Sequence, residues 1–426
     1  MALHPNPQNA RTHGERQIHQ IGKSIRTFGF NNPIIVNRKN QIIAGHGRWR
    51  AAIWLGMVEI PTIVLEDLTE DHIRAYILAD NKLAENAAWD KEILAIELQY
   101  LVSIESPDLD LDALGFDIPE IDLILGDSPQ AVSEPEVLPE PEAHRQAISE
   151  LGDLWQLGED HRVLCGDSLD ESGYQILMGK NRAAAVFTDP PYNVRIDGHA
   201  TGNGEIHHRE FAMASGEMTQ AEFRIFLNSC ISLLIRFSSL QSVHFLCMDW
   251  RNIATLLTTG AENYDQLLNV CAWVKDKGGM GSFYRSQHEL IAVFRNGKKA
   301  HRNNVQLGKF GRNRTNVWQY PSVQTFSKSS EEGNLLALHP TVKPISMVAD
   351  ALLDCTKRGD IVLDIFLGSG TTLMAAERVG RSCYGLEIDP LYVDAAIRRW
   401  QKHTGDEAVH VATKKTFAQI AAERAR

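Results

Sequence analysis

Residues 362–377, VLDIFLGSGTTLMAAE, decide the fold of the larger part of this chain. An apolar run typical of a buried strand passes through the turn Gly368–Gly370 into a helical pattern. Glycine lets the backbone turn sharply and lets a ligand approach without a Cβ in the way, and the free amides at the helix start favour an anionic group. A second strand follows over 382–389, and Glu387 near its end is positioned to hold two ribose hydroxyls. This unit favours a nucleoside cofactor over the alternative, an ordinary tight turn with a solvated acid.

Apolar strand-like runs alternate with helical patterns through the rest of the large domain. Such alternation predicts a mostly parallel, doubly wound α/β sheet with ligands at the carboxyl ends of the strands. The expected strands are Arg162–Cys165, Ala184–Phe187, Val243–Cys247, Leu267–Trp273, Leu290–Phe294, Ile361–Leu363 and Cys383–Leu386. The expected helices include Thr219–Leu234, Ser346–Thr356 and Thr371–Val379.

A second motif, AVFTDPPY at residues 185–192, ends a hydrophobic strand at Asp189. Proline has a fixed φ and no amide hydrogen, so a rigid turn can leave the carbonyl of Pro190 exposed. The Asp189 carboxylate beside that carbonyl offers two acceptors for the two hydrogens of an exocyclic amino group, and Tyr192 offers a face on which a base can stack. The motif therefore predicts a pocket that directs the lone pair of an amino nitrogen at an electrophile. A plain proline-rich turn is the alternative.

The negative charge of the chain is concentrated in one segment. The formal net charge is −11, and residues 92–144 hold 14 acidic residues with no Lys or Arg. This segment begins as an amphipathic helix and ends in a Pro/Glu-rich stretch at 129–142, which proline stiffens into an extended spacer. We expect a small α/β domain at 1–90, acidic helices and a linker at 91–149, a large domain at 150–402 and a C-terminal tail at 403–426.

Composition and cysteine spacing argue against several classes of protein. Hydrophobic residues make up 43% and charged residues 23% of the chain, which is typical of a globular protein. The apolar runs are shorter than the roughly 18 residues of a membrane span, and the first residues lack the apolar core of a signal peptide. The 6 cysteines form no C-x-x-C pair, which indicates reduced thiols in a cytoplasmic protein. The histidines lack zinc-ligand spacing, so we expect no metal.

Along the chain the DPPY motif at 189–192 comes first and the glycine motif FLGSG at 366–370 comes last. The two motifs in that order resemble those of the beta-class S-adenosylmethionine-dependent DNA amino-methyltransferases. Three further segments are similar to segments of that family, VLCGDSL at 163–169, GSFYRSQHEL at 281–290 and HPTVKP at 339–344. The resemblance covers roughly 150–402 and implies a Rossmann-like methyltransferase domain, S-adenosyl-L-methionine as the cofactor and double-stranded DNA as the partner. The tetrad DPPY is typical of adenine methylation, whereas serine in its first position would suggest N4 of cytosine.

The site residues follow from the motifs and from this resemblance. We expect the catalytic residues to be Asp189, Pro190, Pro191 and Tyr192. Asp167 is similar to the family's acid that contacts the adenine of the cofactor, and Lys343 lies in a segment that resembles the one closing over the cofactor. The full expected cofactor-binding set is Asp167, Lys343, Asp364, Phe366, Gly368, Ser369, Gly370, Thr371 and Glu387.

A basic stretch lies where the family inserts its recognition region. Between residues 295 and 328 there are eight Lys or Arg residues and no acid, with Asn, Gln and aromatic residues interleaved. Lys and Arg suit phosphates and guanine, and Asn and Gln suit base edges. The pattern predicts a target recognition region at about 295–338, a solvated charged face being the alternative. The expected DNA-binding residues are Lys298, Lys299, Arg302, Lys309, Arg312 and Arg314.

The N-terminal residues predict a strand, a turn, a strand, a helix and a further strand. The segment QIIAGHGRWRAA at 41–52 places glycines and arginines at a helix start, an arrangement that favours anions. It resembles the ParB/sulfiredoxin-like nucleotide-binding domain over about 15–85, although the phosphate motif of that family has Glu and Arg where this chain has His46 and Gly47. Gly45, His46 and Arg48 are candidates for nucleotide or phosphate binding. A packing arginine in a DNA-docking or dimerisation module is the alternative.

The leading hypothesis is a site-specific DNA methyltransferase that acts on the N6 amino group of adenine. The base would be flipped into the pocket and attack the sulfonium directly, without a covalent enzyme intermediate, because the amino nitrogen is itself the nucleophile. Two alternatives stay open, a cytosine-N4 DNA methyltransferase and a non-enzymatic ParB-like DNA-binding clamp with a degenerate methylase domain. A homodimer is also left open.

Overall fold

The fold is taken from a computed structural model of the chain. It describes residues 2–86, 89–103, 111–126, 147–194, 216–276, 278, 283–305, 314–321 and 342–424. The linker expected at 129–142 lies outside the described residues, and so do Lys309 and Arg312 of the expected DNA-binding set. The chain divides into two units, Met1–Val132 and Ser133–Arg426.

The first unit is an α/β fold on a three-stranded sheet. Its elements are α1 (Glu15–Phe28), β1 (Ile34–Asn37), β2 (Ile42–Ala44), α2 (His46–Trp54), β3 (Thr62–Leu65), α3 (Glu70–Glu85), α4 (Lys91–Ser103), a 3₁₀ turn (Leu111–Leu114) and α5 (Ile118–Gly126). The sheet order is β2–β1–β3, with β1 antiparallel to β2 and parallel to β3. Ile34, Val36 and Ile42 form its buried core. The order of strands and helix predicted for this region is the one observed.

The acidic helices fold as part of this first unit. Leu98 of α4 and Ile121 of α5 are buried, and Arg16 of α1 forms an ion pair with Asp117, just before α5. The helical part of the segment expected as a separate element at 91–149 therefore packs with the N-terminal domain, because its apolar faces need a partner to bury them.

The second unit is built on a ten-stranded mixed sheet. Its strands are β4 (Leu154–Leu157), β5 (His161–Cys165), β6 (Ala183–Thr188), β7 (Ser238–Met248), β8 (Gln266–Val274), β9 (His288–Arg295), β10 (Val317–Gln319), β11 (Ile361–Asp364), β12 (Ser382–Glu387) and β13 (Ala408–His410). The spatial order is β10–β8–β9–β7–β6–β11–β12–β5–β4–β13. Strands β7, β6, β11, β12 and β5 are parallel neighbours, whereas β9 runs antiparallel to β7 and to β8. The predicted doubly wound α/β class is confirmed.

Helices cover both faces of this sheet. They are α6 (Glu171–Met178), α7 (Gln220–Phe237), α8 (Ile253–Asn263), α9 (Ile345–Cys355), α10 (Thr371–Arg378), α11 (Pro390–Thr404) and α12 (Phe417–Arg424). Successive strand residues point to opposite faces, so Ala185 and Phe187 join the apolar cluster under α9–α12, while Val186 joins the one under α6–α8. Among the described residues, we find no helix with the length and apolarity needed to cross a membrane.

The chain reverses its direction of winding between β6 and β11. From β6 it proceeds outward through α7 to β7, and from β11 it proceeds the other way through α10 to β12. In open α/β sheets this switch point forms a crevice at the carboxyl ends of the strands. We call the edge where β5, β6, β7, β11 and β12 end the upper edge, and the opposite one the lower edge. Because β9 is antiparallel to β7, it begins at the upper edge and ends at the lower edge.

The residues expected as a tail at 403–426 belong to the sheet and its core. Strand β13 pairs antiparallel with β4, and the ring of Phe417 meets that of Trp155 edge-on at 5.2 Å. Arg424 forms an ion pair with Asp153. Without these residues β4 would be an uncovered edge strand and Trp155 would lose its cover, which explains why the fold continues past residue 402.

Candidate active site

The turn that follows β6 lies at the upper edge and is fixed by two asparagines. Pro190 is buried and Tyr192 is half-buried. The Asn252 side-chain amide donates to the carbonyl oxygen of Tyr192 at 2.7 Å. Asn193 adopts a left-handed φ of 54°, and its side-chain oxygen accepts from the amide of Met218 at 3.2 Å. Neither asparagine was predicted from the sequence, since both act on the backbone rather than within a recognisable motif.

Asp189 and four further side chains form a charge cluster. The Lys343 Nζ atom lies 2.5 Å from Asp189 Oδ2 and 2.9 Å from Glu289 Oε2. Glu289 Oε1 lies 2.5 Å from the Nζ atom of Lys275. The Tyr192 hydroxyl lies 2.5 Å from Asp189 Oδ1 and 3.0 Å from Glu289 Oε2, so its one hydrogen can be donated to either carboxylate. Two carboxylates and two ammonium groups thus alternate in a chain of ion pairs, and the phenol lies between the two carboxylates.

Burial and charge pairing shift the pKa values in this cluster. Burial raises the pKa of Asp189. Burial acts in the same direction on Glu289, but the ammonium groups of Lys343 and Lys275 outweigh it and lower the pKa of Glu289 to about 2. Burial would lower the pKa of Lys343, and the carboxylates of Asp189 and Glu289 raise it instead. The Lys343 side chain, only 4% exposed, is therefore charged, which a buried ammonium tolerates only with paired carboxylates.

The glycine loop between β11 and α10 lies beside this cluster at the upper edge. Gly370 has a φ of 88°, and a Cβ there would lie 2.9 Å from the Cβ of Ala396, so only glycine fits. A Cβ added at Gly368 would meet no atom within 4 Å. The loop is thus closely packed on its helix side and open at Gly368, where a ligand can approach the backbone.

Glu387 and Asp167 lie at the ends of the neighbouring strands β12 and β5. The buried Glu387 carboxylate accepts from the amide of Gly368 at 2.8 Å and from that of Asp389 at 2.9 Å. Burial raises the pKa of Glu387 to about 7. The half-buried Asp167 accepts from the amide of Leu169 at 2.9 Å. Each carboxylate oxygen has a further lone pair and can accept another hydrogen bond. The two carboxylates are therefore suited to the ribose and the base of a nucleoside.

Asp364, which is expected to contact the cofactor, forms hydrogen bonds to both predicted motifs. Its buried carboxylate accepts from the hydroxyl of Thr188 at 2.8 Å, from the hydroxyl of Thr372 at 2.6 Å and from the amide of Phe366 at 3.1 Å. Burial raises the pKa of Asp364 to about 6. Because Thr188 precedes Asp189 and Thr372 lies in α10, this carboxylate joins the two predicted motifs, and its contact with the cofactor stays a prediction.

The remaining expected cofactor residues surround the same loop. Phe366 is half-buried, with its ring centre 6.0 Å from that of Phe226. The carbonyl of the buried Ser369 accepts from Arg399 at 3.0 Å, and Thr371 is half-buried at the start of α10. The structure thus brings the predicted catalytic turn, Lys343 and the glycine loop to one edge of the sheet.

The described residues of the expected DNA-binding set do not lie at the upper edge of the sheet. Lys298, Lys299 and Arg302 are exposed, but they follow the end of β9 at the lower edge. The 8 residues of β9 span roughly 25 Å at about 3.3 Å per residue, and they carry the chain away from Asp189. The direction of β9 could not be inferred from the basic composition of the stretch, and contact of these cations with DNA stays a prediction.

Arg314, also expected to contact DNA, is paired within the protein. Its guanidinium lies 3.0 Å from the carboxylate of Asp350 and 3.1 Å from that of Asp354. It also donates to the Tyr320 hydroxyl at 2.7 Å, and its side chain is 18% exposed. These partners hold the guanidinium within the protein, and its expected contact with DNA stays a prediction.

The predicted anion site of the first unit is formed in part. Gly45 has a left-handed φ of 100° at the start of α2, and Nε2 of His46 accepts from the amide of Asn6 at 3.1 Å. Arg48 donates to the carbonyl of Pro33 at 3.3 Å, and its buried Nε atom makes no hydrogen bond to a described residue. Burial lowers the pKa of Arg48. Phosphate or nucleotide binding by this group stays a prediction.

Comparison with known families adds independent information. A model of the DNA methylase family matches residues 183–398. A model of the ParB N-terminal domain matches residues 1–81, and one of the ParB-methyltransferase HTH (helix-turn-helix) domain matches residues 92–151, which include the acidic helices.

Individual proteins match the two units separately. The type II methyltransferase M2.MboI of Moraxella bovis is 25% identical over 231 residues, which are 53% of this chain and 82% of that protein. The ParB-like nuclease domain-containing protein YnaK of Escherichia coli (strain K12) is 48% identical over 69 residues, 16% of this chain and 79% of that protein. Among solved structures, the M1.HpyAVI–SAM complex aligns with a TM-score of 0.41 and 19% identity, over 56% of this chain and 97% of that one.

The Asp364 network predicts a pH-dependent loss of stability when one donor is removed. Thr372→Val keeps the shape of the side chain and leaves the buried carboxylate without one of its hydrogen bonds, which should lower the free energy of unfolding by about 1–3 kcal/mol at pH 8. Because the folded-state pKa of Asp364 is raised to about 6, the group is largely protonated at pH 5, and the loss should be smaller there. Urea denaturation at both pH values measures it.

The matched control is Thr258→Val, whose hydroxyl lies on the exposed surface of α8 and, among the described residues, bonds to the carbonyl of Ala254 alone. It should change stability by less than about 0.5 kcal/mol at either pH. An equal loss for the two variants would contradict the special role of Asp364.

Proposed function

The chain belongs to the DNA methylase family, whose model covers half of its residues, and on this premise we propose that it transfers the methyl group of S-adenosyl-L-methionine to the N6 amino group of adenine in double-stranded DNA. The observation that carries the proposal is the carboxylate of Asp364. It joins Thr188, which precedes the acceptor Asp189, to the glycine loop that would hold the cofactor. One network thus fixes an amino-group acceptor beside a nucleoside-binding loop.

The turn after β6 can activate an exocyclic amino nitrogen. The lone pair of that nitrogen is delocalised into the base, which makes it a weak nucleophile. Hydrogen bonds from its two hydrogens to Asp189 and to the carbonyl of Pro190 draw the lone pair back onto nitrogen and fix its direction. The ring of Tyr192 offers a stacking face, and a base can reach it only when flipped out of the duplex.

The charge cluster allows the amino group of the base to replace the Lys343 ammonium at Asp189. Lys343 contacts Oδ2 of Asp189 and the Tyr192 hydroxyl contacts Oδ1, so we expect the ammonium to move when the base arrives. Glu289 already lies 2.9 Å from the same ammonium and keeps it paired as it leaves. Once the nitrogen has four bonds it has to lose a proton, and the Asp189 carboxylate, whose pKa is raised by burial, is the acceptor hydrogen-bonded to it.

The cofactor would be held by residues of the upper edge. Glu387 suits the ribose hydroxyls, Asp167 suits the base, and the open backbone at Gly368 suits close approach of the ligand. S-adenosyl-L-methionine, when bound, supplies an electrophilic methyl group. The tetrad that begins with Asp189 supports adenine over cytosine N4, because aspartate in that position is typical of adenine methylation.

Cellular location and assembly are proposed on separate grounds. All 6 cysteines are free and buried, which suits the reducing cytoplasm. A homodimer through the first unit is supported by exposed apolar side chains such as Val58, 97% exposed, and Ile63, 49% exposed.

Asp189→Ala should abolish methylation while leaving cofactor binding in place. The variant loses the acceptor that orients the amino group, and we expect the rate of transfer from labelled cofactor to fall by at least about a thousandfold. Calorimetry should give a cofactor Kd within about twofold of that of the wild type, since Asp189 does not belong to the glycine loop. Mass spectrometry of the digested DNA identifies the labelled base.

Three outcomes of that experiment separate the candidates. Label on N6 of adenine supports the proposal, whereas label on N4 of cytosine replaces it with the second hypothesis. DNA binding by the wild type without any transfer of label would leave the non-enzymatic clamp.

Cofactor affinity should fall as the pH drops through the pKa of Glu387. An ionised carboxylate is the better acceptor for ribose hydroxyls, and the pKa of about 7 means that it is protonated below that value. The Kd should therefore be about tenfold higher at pH 6 than at pH 8. Glu387→Gln should weaken binding at both pH values and remove the pH dependence, while Glu159→Gln, at an exposed acid, should behave as wild type. A Kd with the same pH dependence in Glu387→Gln would show that another group is responsible.

A further inference from the structure

Two aromatic side chains beside the upper edge are almost fully exposed. Phe283 is 85% and Tyr284 is 81% exposed, whereas Trp273 and Trp318 in the adjoining strands are 1% and 5% exposed. The two exposed rings contact each other edge-on, with centroids 4.4 Å apart. Such a pair leaves large apolar area in water, so its exposure calls for a partner that covers it.

The hairpin that carries this pair is anchored to the charge cluster. Strands β8 and β9 pair up to Val274 and His288. Beyond them the amide of Lys275 donates to the carbonyl of Gln287 at 2.9 Å, and the Gln287 side chain donates back to the carbonyl of Lys275 at 2.8 Å. The Lys275 ammonium in turn binds Glu289. The two strand ends from which the hairpin loop extends, at Lys275 and Gln287, are thus anchored to the charge cluster at the upper edge.

The chain between this anchor and the aromatic pair is long enough to span the distance to a neighbouring base pair. Phe283 lies six positions before Glu289, which extended chain spans in at most roughly 20 Å. The residue after the aromatic pair is the exposed Arg285, whose guanidinium suits a phosphate of the same duplex. Apolar side chains are the groups that proteins insert between stacked bases. The two aromatic rings are suited to that role, and the adjacent Arg285 is suited to a nearby phosphate.

We propose that Phe283 and Tyr284 enter the DNA duplex and fill the space left when the target adenine is flipped out. This inference rests on the proposed function and deepens it. Flipping removes stacking on both sides of the target base, and aromatic rings that stack on the remaining bases stabilise the opened duplex. The exposed pair and the Asp189 pocket then act on the same base, one in the space it leaves and the other in the site it enters.

Duplexes that differ only opposite the target test this wedge. The methylated position is first mapped with the wild-type protein and duplex DNA; absence of any methylation would overturn the proposed function and not this inference alone. The double variant Phe283→Ala with Tyr284→Ala is then compared with wild type on a duplex with the normal pair and on one with an abasic site opposite the target adenine. Single-turnover rates are measured on both.

The variant should lose about ten- to a hundredfold in rate on the normal duplex. It should recover most of this loss on the abasic duplex, where no base pair has to be broken. Phe283→Leu with Tyr284→Leu keeps an apolar wedge and should retain most of the activity, which excludes misfolding as the cause. Leu240→Ala, at a 70% exposed apolar residue near the lower edge, should match wild type on both duplexes.

Two results would overturn the inference. An equal loss on both duplexes would show that the pair acts on the backbone or on the fold. An unchanged rate on the normal duplex would mean that the exposed rings serve another partner, such as a protein surface.

Discussion

The carboxylate of Asp364 is the interaction on which the rest of the site depends. It is the common acceptor for a hydroxyl at the end of β6, a hydroxyl in α10 and an amide of the glycine loop. A buried carboxylate that loses such donors is costly, so the three elements are held in one arrangement. That arrangement places the acceptor turn and the glycine loop on either side of the switch point of the sheet, where α/β proteins bind their ligands.

Charge balance is the second constraint on the site. Asp189 has to be free of water and ready to accept hydrogen bonds, and burial alone would favour its neutral form. In the proposed reaction Lys343 keeps the carboxylate paired until a base arrives. The carboxylate of Glu289, which also pairs with Lys275, helps to keep Lys343 charged. The cluster therefore explains how the Asp189 carboxylate can be buried in the absence of substrate. Its counter-ion, the Lys343 ammonium, is shared with Glu289 and stays paired when it leaves Asp189.

Much of the fold and part of the site could be predicted from the sequence because the relevant signals are local. The strand before Asp189 and the strand–glycine–helix unit at 361–378 are continuous in the chain, and parallel strands bring their carboxyl ends together. Glu289 and Lys275 were not predicted, because they reach the site through two antiparallel strands whose direction no local pattern reveals. The same reversal carries Lys298 and Lys299 to the lower edge. The hydrogen bonds from Thr188 and Thr372 to Asp364 were not predicted, because these residues meet it only in the folded sheet.

The most direct measurement is the distance from Lys343 Nζ to Asp189 Oδ2 in a crystal structure of the protein with duplex DNA and S-adenosylhomocysteine. We predict that the ammonium has left Asp189 and remains within hydrogen-bond distance of Glu289, while the amino nitrogen of a flipped adenine occupies the vacated position. An ammonium still bound to Asp189, with a flipped base held elsewhere, would contradict the role assigned to this carboxylate.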